Sequence, residues 1–407
     1  MLKSSDPEAH ALLEREIAFR ASVLDLVPSD NHPSEAVLET QRYPLFYSEN
    51  DGRNFYYPGC ETVAEVERLA ARRALEVFQD SEHVNVKPTD GTRANEAAYA
   101  SVLDVGDKIL SLGLAEGGHL SHGLKWNYSG RLYQIVHYGV TREGVLDYDE
   151  IRDLALKHRP RLIIAGGSSC PFVFDFAAFA EIAREVGALL HADISHFAGL
   201  VASGHHPSPF PHADLVMTTL QKTLGGLKGA VVFCRQGMAR ALDRAVFPGV
   251  MAHATGADLL AKAVCLGEAL RDEFRERMEA VVSNARALAA ALAARGFDLV
   301  TGGTSTHLLI VDLRARSLTG REGERLLQEA GILANKQLVP FDPEKPTVCS
   351  GVRLGTPCLT ARGMRSGDME RIAEIVTAAL EGGDPEALRA RVRELCHEFP
   401  IPGLSPR

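Results

Sequence analysis

Residues 188–234 read ALLHADISHFAGLVASGHHPSPFPHADLVMTTLQKTLGGLKGAVVFC. Three short apolar runs stand out in this stretch, at ALLHADI, DLVMTTL and GAVVFC. Each is four to seven residues long, none alternates with polar residues, and each is bounded by glycine or polar residues. Runs of this kind are strands buried on both faces. Upstream the pattern continues: HVNVKP (83–88) precedes RANEAAYASVL, and KILSLG (108–113) precedes YQIVHYGV (133–140). DYDEIRDLALKH precedes RLIIAG (161–166), and DFAAFAEIAREVG (175–187) leads into ALLHADI. Strand–helix–strand alternation predicts βαβ units and a mainly parallel sheet with helices on both faces. In such sheets ligands bind beyond the carboxyl ends of the strands, so the chemistry is sought there.

Beyond residue 257 the pattern changes to long helices rich in Ala, Leu and Arg, up to about residue 295. FDLVTGG, THLLIVDLR and GVRLGTP then read as strands, with helices near 320–330, 368–381 and 385–397. The expected organisation is an N-terminal arm (1–45), a large α/β domain (46–265) and a smaller α+β domain (266–407). Asp6-Pro7 is an N-cap with proline at the first helical position, and the helix it opens is expected to reach about Leu26. Residues 41–60, QRYPLFYSENDGRNFYYPGC, hold four tyrosines, two phenylalanines and four charged residues in an irregular stretch. So aromatic a loop is a functional segment, a subunit contact, or both.

The chain has 407 residues, 44 basic against 53 acidic, for a formal charge of −9. The acidic balance argues against a general nucleic-acid binder. The seven cysteines are odd in number and form no C-x-x-C pair, so neither a disulfide framework nor a zinc site is expected. The N-terminus carries charges where a signal peptide needs an apolar core, and no long uncharged apolar run follows. A cytoplasmic protein without membrane, nucleic-acid or metal partners is the expectation.

Three strand ends carry chemistry. Lys222 lies just past the strand DLVMTTL and before a glycine-rich turn. A partly desolvated lysine there can form a Schiff base with an aldehyde; a phosphate-binding or surface lysine is the alternative. Asp193 closes ALLHADI, where a carboxylate can hold a protonated pyridine nitrogen or simply cap the next turn. Asp90-Gly91-Thr92 opens a helix after a strand, and backbone N–H groups at a helix N-terminus accept a phosphate.

With these residues the chain resembles the serine hydroxymethyltransferase family. The resemblance runs from Ser29 to about Pro400 and is carried by LAEGGHLSHG (114–123), DISHFAGLVASG (193–204), TTLQKTLGG (218–226), AVFPG (245–249) and SGVRLGTPCLTARG (350–363). It implies an α/β enzyme of the pyridoxal-phosphate-dependent fold type I, with a seven-stranded, mainly parallel sheet in the large domain. The implied cofactor is pyridoxal 5'-phosphate, with tetrahydrofolate as a possible co-substrate. Lys222 would carry the cofactor, Asp193 would pair with its ring nitrogen and His119 would stack on its ring. Gly91 and Thr92, opened by Asp90, would bind its phosphate with Tyr47 of a partner subunit. Ser168 and His196 would bond its 3-oxygen, and Thr219 and Gln221 would complete the pocket. Arg353 would grip the substrate carboxylate with Ser29 and with Tyr57 of the partner. Glu49, also from the partner, matches the family's proton-transferring glutamate. Tyr56, Leu114, Gly118, Leu120 and Gln337 fall at the folate positions. The implied assembly is a homodimer or dimer of dimers with shared active sites.

The sequence departs from the family pattern in places. Gln221 stands where histidine precedes the lysine, Leu220 replaces a threonine, and Leu227-Lys228 replaces Pro-Arg. VMAHATG (250–256) replaces a glycine-rich phosphate-contacting stretch, Glu116 a histidine and Gln337 an asparagine. The implied activity is one-carbon transfer by Cα–Cβ cleavage of serine, with glycine as product, or the same cleavage of an α-substituted serine. The alternative is a folate-independent aldolase or transaldolase acting on β-hydroxy amino acids.

Overall fold

The computed structural model describes residues 2–42, 59–252 and 254–404. The chain divides into two compact units, one of residues 33–279 and one of residues 1–32 with 280–407.

The unit of residues 33–279 is built on seven strands: β1 (His83–Asn85), β2 (Lys108–Leu112), β3 (Gln134–Tyr138), β4 (Leu162–Gly166), β5 (Leu189–Asp193), β6 (Leu215–Thr219) and β7 (Ala230–Cys234). Their order across the sheet is β1-β7-β6-β5-β4-β2-β3. The pairs β2/β3, β2/β4, β4/β5 and β5/β6 are parallel. The pairs β6/β7 and β7/β1 are antiparallel, so the sheet is mixed with a parallel centre. Every residue of β4, β6 and β7 is buried. That is why these strands read as unbroken apolar runs: helices cover both faces.

The covering helices are set by local capping. Asp175 accepts from Ala178 N–H to start the helix Phe176–Val186, which buries Phe176, Phe179 and Ile182 and ends at a left-handed Gly187. Asp147 caps the helix Tyr148–His158 in the same way. On another face, Ala94, Ala97, Ala98 and Tyr99 of the helix Gly91–Ala100 pack against Leu215, Met217, Ala230 and Val232 of β6 and β7. Parallel strands point the same way, so Gly166, Asp193 and Thr219 all end at one edge of the sheet. The loops at that edge hold the chemistry-bearing residues.

The other unit carries a four-stranded antiparallel sheet, ordered Asn335–Gln337, Gly351–Gly355, Leu308–Asp312, Asp298–Leu299. Helices Gly320–Glu329, Met369–Leu380 and Pro385–Glu398 stand close to the expected spans. Its core gathers Leu309, Val311, Val352, Leu354, Leu359, Ile372, Val376 and Val392. The first helix is shorter than the expected run to Leu26. It covers Pro7–Ala21, because Leu24-Asp25 form a parallel pair with Ile332-Leu333. Leu24 and Leu26 are fully buried in this core, and that burial overrides the helical pattern.

Candidate active site

Ten of the residues expected at a cofactor site line one cavity of about 180 Å³ at the carboxyl edge of the large sheet. They are Asp90, Gly91, Thr92, His119, Ser168, Asp193, His196, Thr219, Gln221 and Lys222, joined by Gly167, Ser195 and Lys228. Tyr47, Glu49, Tyr56 and Tyr57 lie outside the described residues, as does His253.

The cavity assembles from neighbouring strand ends. Lys222 sits three residues past β6, and its Nζ donates to Thr219 Oγ1 at 2.9 Å. Thr223 fastens this loop to the one after β5: its hydroxyl donates to His196 O at 3.1 Å and accepts from Gly199 N–H at 2.9 Å. Across the cavity Ser168 N–H donates to Gly117 O at 2.6 Å, which ties the loop carrying His119 to the end of β4. At the start of the helix Gly91–Ala100, Asp90 caps by accepting from Arg93 N–H at 3.1 Å. The N–H groups of the first turn have no intrahelical acceptor. A Cβ on Gly91 would come within 2.8 Å of Thr219 Cγ2, so glycine lets the helix start lie directly on the end of β6.

Asp193 is the most firmly held group in the cavity. Its Oδ2 accepts from Asn95 Nδ2 at 2.9 Å and from His122 Nε2 at 3.0 Å, and its Oδ1 accepts from Ser195 N–H at 3.1 Å. Burial alone would raise its pKa. The His122 hydrogen bond and the neighbouring histidines and Ser195 outweigh burial and hold the carboxyl well below the usual carboxylate range. His119 has the opposite fate: burial pushes its pKa down to about 4, against the attraction of Asp193. The cavity therefore holds a fixed anion beside an uncharged imidazole.

These features fit pyridoxal phosphate. An anion fixed by three donors suits a pyridinium nitrogen, a lysine stands at the next strand end, and a helix N-terminus faces the same space. Gln221 Oε1 is buried with no hydrogen-bond partner among the described residues, and Gln221 lines the cavity. An orphaned acceptor of this kind calls for a donor from a bound group.

The family model for serine hydroxymethyltransferase matches residues 2–376. The chain belongs to the serine hydroxymethyltransferase family. A serine hydroxymethyltransferase of Acidobacterium capsulatum is 44% identical over 409 aligned residues, spanning 99% of this chain and 96% of that relative. The family is one of pyridoxal-phosphate-dependent transferases of fold type I, and the mixed seven-stranded sheet is the core of that fold.

Other expected residues of this family member lie elsewhere. Arg353, Ser29 and Gln337 belong to the unit of residues 1–32 and 280–407. Arg353 is buried in the strand Gly351–Gly355, and its Nε donates to Asn335 Oδ1 at 3.1 Å on the neighbouring edge strand. Gln337 pairs with Gly351 on the same edge. Arg362 is committed to the backbone: its guanidinium donates to the carbonyls of Phe399, Val23 and Cys396. Leu114 and Leu120 are 45% and 40% exposed, flanking the His119 loop without lining the cavity. Gly118 is buried there, and a Cβ on it would run into Leu112 O.

Sequence reasoning assigned no role to Asn95, His122, Ser195 or Asn335. His122 lay within the quoted GGHLSHG motif, three residues from His119. Asn95 and Asn335 gave no signal, because a single asparagine on a helix or a polar edge strand reads as solvent-facing.

Among the described residues no helix is long and apolar enough to cross a membrane.

Proposed function

We propose that the chain transfers the hydroxymethyl group of serine to tetrahydrofolate, releasing glycine, with pyridoxal 5'-phosphate bound in the cavity between Asp193 and Lys222. The observation that carries this reading is the pairing of a triply held Asp193 carboxylate with Lys222 across adjacent strand ends in one cavity. Identity of 44% with a named serine hydroxymethyltransferase over nearly the whole chain favours it over a folate-independent aldolase.

When bound, pyridoxal phosphate supplies an electron sink for the pair released as the Cα–Cβ bond of serine breaks. The protein's residues do the rest. Lys222 provides the amine that carries the cofactor, and Thr219 Oγ1, accepting from Nζ at 2.9 Å, aims that amine into the cavity. Asp193 stays ionised and favours a proton on the ring nitrogen. His119, held uncharged, offers a flat ring face without a competing positive charge. Gly91 and Thr92 N–H groups take the phosphate, and Ser168 and His196 take the 3-oxygen. Arg353, held through Nε by Asn335, binds the substrate carboxylate through its guanidinium fork, and Ser29 is assigned to the same carboxylate.

Tyr47, Glu49 and Tyr57 are assigned to a partner's site in a homodimer or dimer of dimers, with Glu49 moving the proton of the serine hydroxyl. Tyr56, Leu114, Gly118, Leu120 and Gln337 are assigned to tetrahydrofolate. A cytoplasmic location goes with this reading; none of the seven cysteines is joined in a disulfide and all are buried, as thiols are in a reducing compartment.

The testing experiment is product analysis from serine with and without tetrahydrofolate. Glycine formed in step with methylenetetrahydrofolate supports the reading. Glycine formed equally fast without folate would assign the chain to the aldolase class.

A further inference from the structure

We propose that Asn95 is a positioning residue that couples the two side chains facing the cofactor ring, Asp193 and His119, and that His191 locks its amide in the working orientation. The proposal rests on the reading of Asp193 as the partner of the pyridine nitrogen.

Asn95 lies in the second turn of the helix Gly91–Ala100 and is fully buried. Its Nδ2 lies 2.9 Å from Asp193 Oδ2 and 2.8 Å from Ser121 Oγ, and its Oδ1 lies 2.7 Å from His191 Nε2. The direction of every hydrogen bond follows from the anion. Asp193 is held ionised, and a carboxylate only accepts. Turning the amide round would set two oxygen acceptors 2.9 Å apart in the interior, a geometry that nothing there would repay. Both Asn95 N–H bonds are thus spent on Asp193 and Ser121, and Oδ1 must accept from His191. His191 is fully buried and uncharged near neutral pH, because burial pushes its pKa down to about 4. Its one ring proton is therefore on Nε2.

The order passes on to His119. Ser121 Oγ accepts from Asn95, so its own hydrogen is directed to His119 Nδ1 at 2.7 Å. The backbone N–H of Ser121 donates to the same nitrogen at 3.3 Å, and Tyr99 fixes the segment by donating to Ser121 O at 3.1 Å. His119 thus carries its ring proton on Nε2 and has its plane set from Nδ1. One amide thus bonds both the carboxylate at the ring nitrogen, beside His122 and Ser195, and, through Ser121, the imidazole at the ring face.

The arrangement is costly as mere packing. Asn95, Ser121 and His191 are fully buried, and His122 and Asp193 are 1% and 5% exposed. Apolar residues would fill the space without desolvating five polar groups. The gain is preorganisation. The helix that offers its first N–H groups to the phosphate also presents Asn95 one turn later to the partner of the ring nitrogen. A single rigid element fixes both ends of the cofactor.

The test is equilibrium binding to the full chain after cofactor removal. Two probes are used: pyridoxal 5'-phosphate and its 1-deaza analogue, in which C–H replaces the ring nitrogen. The native chain is expected to prefer pyridoxal phosphate by about tenfold or more, the worth of a hydrogen bond to a charged group. Asn95→Ala should lose most of that preference, since a misaligned Asp193 cannot tell nitrogen from C–H. General damage would weaken both probes by the same factor and leave the ratio intact, and that result overturns the proposal. If the native chain itself shows no preference, the assignment of Asp193 fails, and the proposal fails with it. Should Asn95→Ala not fold, His191→Phe is read in the same way: it removes the donor that locks the amide, keeps the apolar bulk, and should also lower the ratio. An unchanged ratio in His191→Phe contradicts the locking role.

Discussion

Lys222 Nζ donates to the hydroxyl of Thr219 at 2.9 Å, from three residues beyond the last position of the strand Leu215–Thr219. The strand end and the lysine therefore form one unit. A buried, hydrogen-bonded strand fixes the start of the loop, and Thr219 restrains the far end of the side chain. Borohydride reduction of the loaded protein should fix pyridoxal phosphate to Lys222, and peptide mapping reads the position. Lys222→Ala should lose covalent fixation while keeping the fold, because its side chain faces the cavity. Thr219→Val should keep fixation and slow it by up to about tenfold, the worth of one hydrogen bond. Attachment at any other lysine would contradict the site.

Four histidines, His191 and His206 buried and His32 and His119 half-buried, set the acid stability. His32, His119, His191 and His206 are each pushed down to about 4, by burial first in every case. Between about 6.5 and about 4 the unfolded chain binds protons at these positions and the folded chain does not, so stability falls as pH falls through that window. Each histidine contributes a slope of up to about 1.4 kcal/mol per pH unit. Asp25, raised to about 6 by burial, acts in the opposite direction, but it is one group against four. Urea midpoints from pH 7.5 to 4.5 should fall steadily below about pH 6.5, and His191→Phe should make the decline shallower. Midpoints that rise or stay level on acidification would show that these histidines are charged in the fold.

Lys262 is a buried lysine whose Nζ donates to three backbone carbonyls, Val86 at 2.6 Å, Pro88 at 2.8 Å and Ala230 at 3.1 Å. It thereby joins the segment leading to Asp90 with the start of β7. Burial lowers its pKa to about 7. Lys262→Met keeps the aliphatic stem and deletes all three hydrogen bonds, so it should cost about 3 kcal/mol of stability; Pro88 O keeps the Ala230 N–H at 3.0 Å, and the loss falls on the buried Val86 and Ala230 carbonyls. Pyridoxal phosphate affinity should fall as well, because the segment that presents Gly91 is loosened. A variant within about 0.5 kcal/mol of the native chain, the range of an ordinary surface substitution, would show that the carbonyls find other donors.

Arg353 should govern amino-acid affinity with little effect on pyridoxal phosphate affinity. Arg353→Ala should cost about 2–5 kcal/mol in glycine binding, and Arg353→Lys should restore little of it, since an ammonium cannot copy the planar fork. Asn335→Ala, which frees the guanidinium Nε, should weaken glycine binding by about tenfold. Calorimetric titration of the loaded protein with glycine measures all three. Arg362, already committed to three carbonyls, should not substitute for Arg353.

Most of the large sheet was legible because its strands are buried on both faces: Leu162–Gly166 and Leu215–Thr219 could only be apolar runs. The cavity residues were legible where they end such strands or open a capped helix, as Asp193, Lys222 and Asp90 do. Long-range pairing was not legible. Leu24-Asp25 finds Ile332-Leu333 across the whole chain, and no local pattern announces it. The edge strand Asn335–Gln337 is polar because no strand pairs with its outer side among the described residues, where Glu324 instead accepts from the Lys336 N–H, so it reads as a loop. Lys262 sits in an alanine-rich helix and reads as a solvated face; only the three converging carbonyls explain its burial. Asn95 and His191 were hidden for the same reason. Their partners lie 96 and 98 positions apart in the chain, and a buried polar network leaves no period in the sequence.

Hydroxymethyl transfer to folate is tested most directly by following the β-carbon of serine. With serine labelled at that carbon, the loaded protein should pass the label to methylenetetrahydrofolate and release unlabelled glycine in equal amount. Omission of tetrahydrofolate should stop the transfer, as should Lys222→Ala. Label recovered instead in a new β-hydroxy amino acid, or cleavage at full rate without folate, would contradict hydroxymethyl transfer to folate as the function of this site.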